Sequence, residues 1–342
     1  MKYKRKNDPD FWMMARTFLH EYMPVVRNLS DKSVITYKQS IYTYLEFLQE
    51  VLQIENRDVC FESFARDNIK KYVIWLQDDK KYSPKTIALK LTGLKSLLKY
   101  CADEDIELRS FYSTVCSLKS PKEAKKPIEY LSPQAMKSIL SVTDTNTSKH
   151  RRNRVLLILM YDSGARVQEL ADLNVSSLHI VETKPFITLV GKGRKTRNVP
   201  LMKKTICHLQ EYLKEFHPKM EEKPLFYSFV DGKPHSLSTD SISLILKKAS
   251  DKARKECNAV PTNVYCHLIR KTRAMDLYQG GIPLPIIAQI LGHESISTTS
   301  GFYAFATLGM MYDAMAKANK SASSEEMIWK TPEIEKVLYT LE

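Results

Sequence analysis

No pair of cysteines in this 342-residue sequence has the spacing of a redox motif or a metal knot; the six, Cys60, Cys101, Cys116, Cys207, Cys257 and Cys266, stand far apart. That excludes a disulfide scaffold and reads them as thiols of a reducing cytosol. No apolar run is longer than Val155 to Tyr161, far short of the roughly 20 residues that span a bilayer. The N-terminal lysines are followed by Asp8 and Asp10, and Arg16, His20 and Glu21 interrupt the apolar residues after Phe11. No signal peptide is expected. Neither metal-ligand spacing nor a glycine-rich phosphate loop ending in lysine and threonine occurs, so no cofactor is expected. There is no internal repeat and no low-complexity tract. These absences predict a soluble, cytoplasmic protein with no membrane partner and no small-molecule substrate.

What is present is positive charge: 52 lysines and arginines against 39 acidic residues, a formal net charge of +13 and a pI near 9.2. An excess of that size attracts phosphate backbones, which makes double-stranded DNA the leading partner and an anionic membrane surface a weaker one. Hydrophobic residues make up 43%, enough for a core, and the length predicts two domains.

Periodicity predicts a helix from Asp10 to about Val26. A second, capped by Ser30 or Asp31, buries Tyr37, Ile41, Tyr44, Leu45, Leu48 and Leu52; a third spans Phe64 to Leu76. A fourth starts at Ser83-Pro84 with Ile87, Leu91, Leu94 and Leu98 as its apolar stripe. Lys85, Ala88, Thr92, Lys95 and Lys99 fall on its opposite side. A DNA-facing stripe and an ordinary solvated lysine face fit that pattern equally. Residues 119–127 hold two prolines and four lysines without apolar periodicity, which reads as an extended basic linker. It separates a helical domain, 1–118, from a larger one, 128–320, and would let the two close round a duplex.

In the larger domain, Asn153 to Tyr161 reads as a core helix ending at Gly164, with Arg166, Glu169, Leu170 and Leu173 on a new turn. Strands are expected at Leu178–Val181, Phe186–Val190 and about Arg197–Leu201, with Gly191-Lys192-Gly193 as a turn. Helices are expected for the remainder. The fold class is therefore mainly α with one small antiparallel β-sheet. A tail, 321–342, carries Ile334, Val337, Leu338 and Leu341 on one face; too short to be stable alone, it is expected to dock.

Tyr161-Asp162-Ser163-Gly164-Ala165-Arg166-Val167-Gln168-Glu169-Leu170, then His267 and Arg270 as His-x-x-Arg, then Leu291-Gly292-His293, then Tyr303 resemble the tyrosine recombinase, or phage integrase, family. The resemblance covers nearly the whole catalytic domain in order; the first domain is similar, less specifically, to the family's helical SAM-like core-binding domain. It implies a site-specific recombinase of the simple two-domain type that cuts and rejoins DNA through a 3′-phosphotyrosine. A mobile-element integrase or transposase is the leading role, and chromosome or plasmid dimer resolution the alternative. A homotetramer on DNA, a dimer on each site, is implied. A non-catalytic DNA-binding protein on a decayed fold is the contrasting class, and the completeness of the residue set speaks against it.

The chemistry is consistent with that set. A phosphodiester under attack gathers negative charge on its non-bridging oxygens, which guanidinium groups match bidentately, so Arg166 and Arg270 form a clamp. Glu169, one turn from Arg166, is either its positioning partner or an ordinary ion pair. His267, with an ordinary pKa of about 6.5, suits proton transfer with the tyrosine oxygen. His293, delivered by a helix stopped at Gly292, is expected to donate a hydrogen bond to the phosphate. Tyr303 is the expected nucleophile, ten residues after His293, with Tyr312 as a remote alternative; its pKa of about 10 calls for an electropositive site. Lys192 matches the family's hairpin lysine as acid for the leaving 5′ oxygen, with Lys195 as a fallback. Arg194, Lys195 and Arg197 are expected to bind nearby phosphates or to be solvated.

Overall fold

In the computed structural model the described residues are 10–118, 129–143, 147–219 and 223–293, together with Tyr312 and Met315. The expected linker at 119–127, the tail at 321–342 and Tyr303 lie outside them. The chain divides into two compact units, Met1–Lys126 and Pro127–Glu342.

The first unit is helical. Asp10 accepts from the Trp12 amide and starts α1 (Phe11–Thr17). The stretch continues to Val26, but from Phe18 it winds as a π-helix that contains Pro24. Proline has no N–H to give and crowds the carbonyl one α-turn back, so the wider winding accommodates it. Ser30 is the N-cap of α2 (Asp31–Glu50), leaving Asp31 in the first turn, where the helix dipole favours a negative charge. The third expected helix is divided: Phe61–Phe64 forms a separate 3-10 turn, and α3 runs Arg66–Asp78. Ser83 accepts from the Thr86 amide at 3.3 Å, and Pro84 opens α4 (Pro84–Glu104), which buries Ile87, Leu91, Leu94 and Leu98. α5 (Arg109–Ser117) closes the unit.

Its core is aromatic. Tyr44 lies 4.8 Å from Phe64 and 4.9 Å from Tyr72 by ring centroid, and its hydroxyl donates to the Ser63 carbonyl at 2.7 Å. α2 and α4 touch through a glycine: a Cβ on Gly93 would stand 2.3 Å from Ser40 Cβ.

In the second unit Ser132 caps α6 (Pro133–Ser141), and α7 (Ser148–Ser163) ends on Gly164 in the left-handed region, φ 57°. α8 (Val167–Ala171) follows at once. β1 (Leu178–His179), β2 (Phe186–Val190) and β3 (Thr196–Pro200) form an antiparallel sheet in that order, with Ile187 opposite Val199 and Leu189 opposite Arg197. α9 (Lys203–Phe216) packs on α7.

A second sheet then appears where the sequence suggested only helices. β4 (Tyr227–Val230) and β5 (Lys233–Ser236) form a hairpin whose turn residues, Asp231 and Gly232, have φ of 49° and 72°. Asp-Gly is the pair that such a turn demands, because both positions need positive φ. α10 (Thr239–Glu256), α11 (Cys266–Gln279) and α12 (Leu284–Leu291) complete the described fold. Leu156, Leu159, Ile187, Leu189, Leu209, Ile242, Leu246 and Ile269 lie in one core beneath the sheet and helices. Among the described residues no helix is long and apolar enough to cross a membrane.

Candidate active site

The site is built where three helix ends and one strand meet. Gly164 is required at the first: its φ of 57° suits glycine, and a Cβ there would stand 2.9 Å from Leu291 Cδ2. The turn it makes presents Arg166 as the N-cap of α8, with Glu169 three residues on. One Glu169 oxygen accepts the Arg166 backbone N–H at 2.7 Å, the other accepts Arg166 Nη1 at 2.9 Å. The pair is not an exposed surface contact, for 3% of the Glu169 side chain is exposed.

Glu169 has a second partner that the sequence did not suggest. Arg197, on β3, donates Nη1 and Nη2 to its two oxygens at 2.8 and 2.7 Å, with 10% of the arginine side chain and 3% of the glutamate's exposed. Burial pushes the Glu169 carboxyl up, but the hydrogen bonds from Arg197 and Arg166 outweigh it and hold it below the usual carboxylate range. The expectation of a solvated Arg197 is corrected: with 10% of its side chain exposed, its Nε, Nη1 and Nη2 each bond within the protein.

α11 contributes His267 and Arg270. His267 is exposed, whereas Arg270 is 2% exposed and donates to the Gly164 carbonyl at 2.8 Å and to the Leu291 carbonyl. α12 ends on Gly292 at φ 63°, where the His293 amide bonds the Ala288 carbonyl at 2.9 Å and the Gly292 amide bonds that of Gln289 at 3.1 Å. This paired closure is the Schellman motif, and it still leaves the last carbonyls pointing out of the helix. Three arginines take them in succession: Arg197 Nε the Ile290 carbonyl at 2.9 Å, Arg270 that of Leu291, and Arg166 Nη2 that of Gly292 at 3.0 Å. The negative end of the helix dipole is thereby matched by cations.

His293 follows directly. Burial, and then the positive charges of Arg270, Arg166, His267 and Arg197, push its pKa down to about 4. At neutral pH it is an uncharged imidazole, able to donate from one ring nitrogen and accept at the other. Arg166 keeps 40% of its side chain exposed, so the site is open to a ligand on that side.

Beneath Gly164 lies a layer that the motifs did not reveal. Arg273 donates to the Asp162 carbonyl at 3.1 Å and to its Oδ1 at 3.2 Å, and its guanidinium lies 5.4 Å from the centre of the Tyr161 ring. Its position one turn after Arg270 was the only available signal.

The structure thus brings Arg166, Glu169, Arg270 and His293 together, with His267 in electrostatic reach of His293. Lys192 stands in the turn between β2 and β3, its side chain outside those described; Arg194, at φ 59°, and Lys195 are exposed beside it. On α4, Lys85, Thr92 and Lys99 are exposed and Lys95 half-buried, as a surface stripe requires; Lys99 pairs with Asp103 at 2.7 Å. Tyr312 is exposed.

Comparison with known proteins identifies the family and the fold. The profile described as Phage integrase family matches residues 129–307, and that described as Phage integrase, N-terminal SAM-like domain, matches 17–108. An integrase/recombinase of Sinorhizobium fredii is 27% identical over 307 residues, covering 90% of this chain and 91% of that protein. Tyrosine recombinase XerD of Listeria innocua is 26% identical over 284 residues, covering 82% and 90%. Among solved structures, the Tn1549 transposon integrase shares the fold with a TM-score of 0.67 at 19% identity, covering 90% of this chain and 98% of that one. XerH site-specific recombinase shares it with a TM-score of 0.61 at 20% identity, covering 90% and 84%. With more than half its length matched, the chain belongs to the phage integrase family of tyrosine recombinases.

Proposed function

We propose that this chain is a site-specific recombinase that breaks and rejoins DNA through a 3′-phosphotyrosine on Tyr303, serving a mobile element as its integrase. The observation that carries the reading is the gathering of Arg166 and Arg270 around an uncharged His293, on one helix end. The Tyr303 oxygen attacks the phosphorus, the bond from phosphorus to Tyr303 forms, and the bond to the 5′ oxygen breaks. Arg166 and Arg270 neutralise the non-bridging oxygens, and His293 donates a hydrogen bond to one of them. His267 receives the tyrosine proton, and Lys192 gives one to the leaving oxygen, with Lys195 as the alternative donor. The phosphotyrosine stores the energy of the broken bond, so the reverse step rejoins DNA without an external energy source.

Lys85, Thr92, Lys95 and Lys99 on α4, with Arg194 and Lys195 at the hairpin tip, supply contacts to the duplex. The active assembly is a homotetramer on two sites, a dimer on each, with segment 321–342 docking between subunits. Support for DNA as the partner comes from the solved relatives, the Tn1549 integrase in complex with transposon right end DNA and XerH bound to its difH substrate. Relatives named tyrosine recombinase XerD favour a second role, the resolution of chromosome or plasmid dimers.

Incubation with nicked suicide DNA, followed by a denaturing gel, tests the chemistry. The wild-type chain gives a covalent adduct and Tyr303→Phe gives none. Absence of the wild-type adduct overturns the catalytic reading, and an undiminished Tyr303→Phe adduct overturns the nucleophile. Footprinting on DNA flanking the chain's own gene, beside fragments from elsewhere in the same genome, separates the roles: protection at both ends of an element supports integration, and protection confined to a distant fragment supports dimer resolution.

A further inference from the structure

Arg197 stands apart from the other arginines. It is the one that the motifs did not place in the site, yet it makes three directed bonds there, two to Glu169 and one to the Ile290 carbonyl. The surrounding backbone is shaped to admit it. A Cβ on Gly292 would stand 2.9 Å from both Arg197 Cδ and Arg197 Nη1, and a Cβ on Gly191 would stand 3.3 Å from Glu169 Oε1. Both glycines therefore leave room for the same ion pair, one at the foot of the hairpin and one at the end of α12. Through Glu169 the pair reaches Arg166, and through Ile290 it reaches the turn that holds His293. Arg197 also lies opposite Leu189 in the β2–β3 ladder, three residues after the hairpin-tip turn ends at Arg194.

We propose that Arg197 is a positioning residue: its fork locks β3 to Glu169 and to the last turn of α12, so that the hairpin, Arg166 and His293 share one reference point, and it touches no DNA. Only a guanidinium can do this, because the task needs two parallel donors for a carboxylate and a third aimed at a carbonyl. A lysine ammonium keeps the charge but cannot fill the three directions from one fixed plane. The proposal rests on the reading of the cluster as the phosphate site and of Tyr303 as the nucleophile.

The test compares wild type, Arg197→Lys, Arg197→Met and Tyr303→Phe on nicked suicide DNA, measuring single-turnover adduct formation at saturating DNA and, separately, DNA affinity across a salt series. Both Arg197 variants are expected to form adduct about 10- to 100-fold more slowly, the range for removing a group that orients a reactive one. Affinity and salt slope stay at the wild-type values, and lysine does not rescue. Combining Arg197→Lys with Glu169→Gln is no slower than the slower single variant, because both break one link. A salt slope reduced by about 1 with weaker binding would make Arg197 a phosphate contact and overturn the proposal. So would an unchanged rate, or effects of the two substitutions that multiply. Arg197→Lys retains stem and charge and guards against loss of folding, checked by its denaturation midpoint. Gly191→Ala crowds the pair without removing a donor and is expected to slow the same step by a smaller factor. Adduct formation by Tyr303→Phe at the wild-type rate would instead sink the nucleophile assignment, an outcome distinct from any result at Arg197.

Discussion

The two sets of cations in this chain are held in opposite ways. On α4, Lys85, Lys95 and Lys99 ride on a helix whose other side is fixed by Ile87, Leu91, Leu94 and Leu98; Lys85 and Lys99 are exposed, Lys95 is half-buried, and Lys99 forms a surface pair with Asp103. In the catalytic unit, Arg166, Arg197 and Arg270 are held by the groups they charge: one carboxylate and four carbonyls, those of Gly164, Ile290, Leu291 and Gly292. A solvated cation attracts a phosphate over a Debye length and is weakened by salt. An enclosed one acts at short range with its direction already set, which is what stabilising a transition state needs. Under the proposed function, affinity and chemistry thus fall to different residues.

That division can be broken from its strongest point downwards. Glu169→Ala leaves two guanidinium groups facing an empty buried site, and loss of one member of such a pair costs about 3–5 kcal/mol; urea denaturation should show it, and a loss under about 1 kcal/mol would mean that the network contributes nothing to stability. Next comes Arg270→Ala, expected to slow single-turnover cleavage by about 10²–10³, as for removal of one aligned transition-state donor. Its DNA affinity stays close to that of wild type. Equal losses in rate and affinity would show that Arg270 serves binding as much as chemistry. Lys85→Ala with Lys95→Ala should do the reverse, reducing the salt slope by about 2 while cleavage at saturating DNA is unchanged. An unaltered slope would return the stripe to an ordinary solvated face.

The smallest effect concerns protons. His293 should titrate near pH 4 by NMR in the free protein, and Arg166→Ala should move that midpoint up by removing a like charge. The folded imidazole holds its proton less tightly than the unfolded one. Its contribution to stability is therefore full above about pH 6.5 and is lost as pH falls toward the folded value. A midpoint near the ordinary histidine value would mean that the arginines do not act on it.

Sequence reading reached whatever depends on near neighbours. Gly164 and Gly292 were legible as helix stops because a left-handed residue is a local demand, and the α4 stripe because burial repeats with the helix. The β4–β5 hairpin was legible in principle from Asp231-Gly232 but was absorbed into a run expected to be helical. The π-helical winding at Pro24 had no comparable signal, since a proline near a helix end is also compatible with a simple break. The inward turn of Arg197 could not be read at all: its partners lie 28 residues before it and 93 after it, and only the fold sets that meeting.

The contact of Gly93 with Ser40 has a consequence for the shape of the first unit. Because the Ser40 side chain of α2 packs directly on the bare backbone of Gly93 in α4, the spacing of the two helices is gauged by one missing methyl group, and a groove of about 160 Å³, bordered by Thr36, Ser40, Leu89 and Thr92, runs along the seam. An alanine at position 93 would act as a wedge, widening the angle at which the α4 lysines stand without altering a single charge. A footprint of changed length at unchanged salt dependence would reveal it. Contour and charge are then separately adjustable in this surface, and the smallest residue on α4 governs the first.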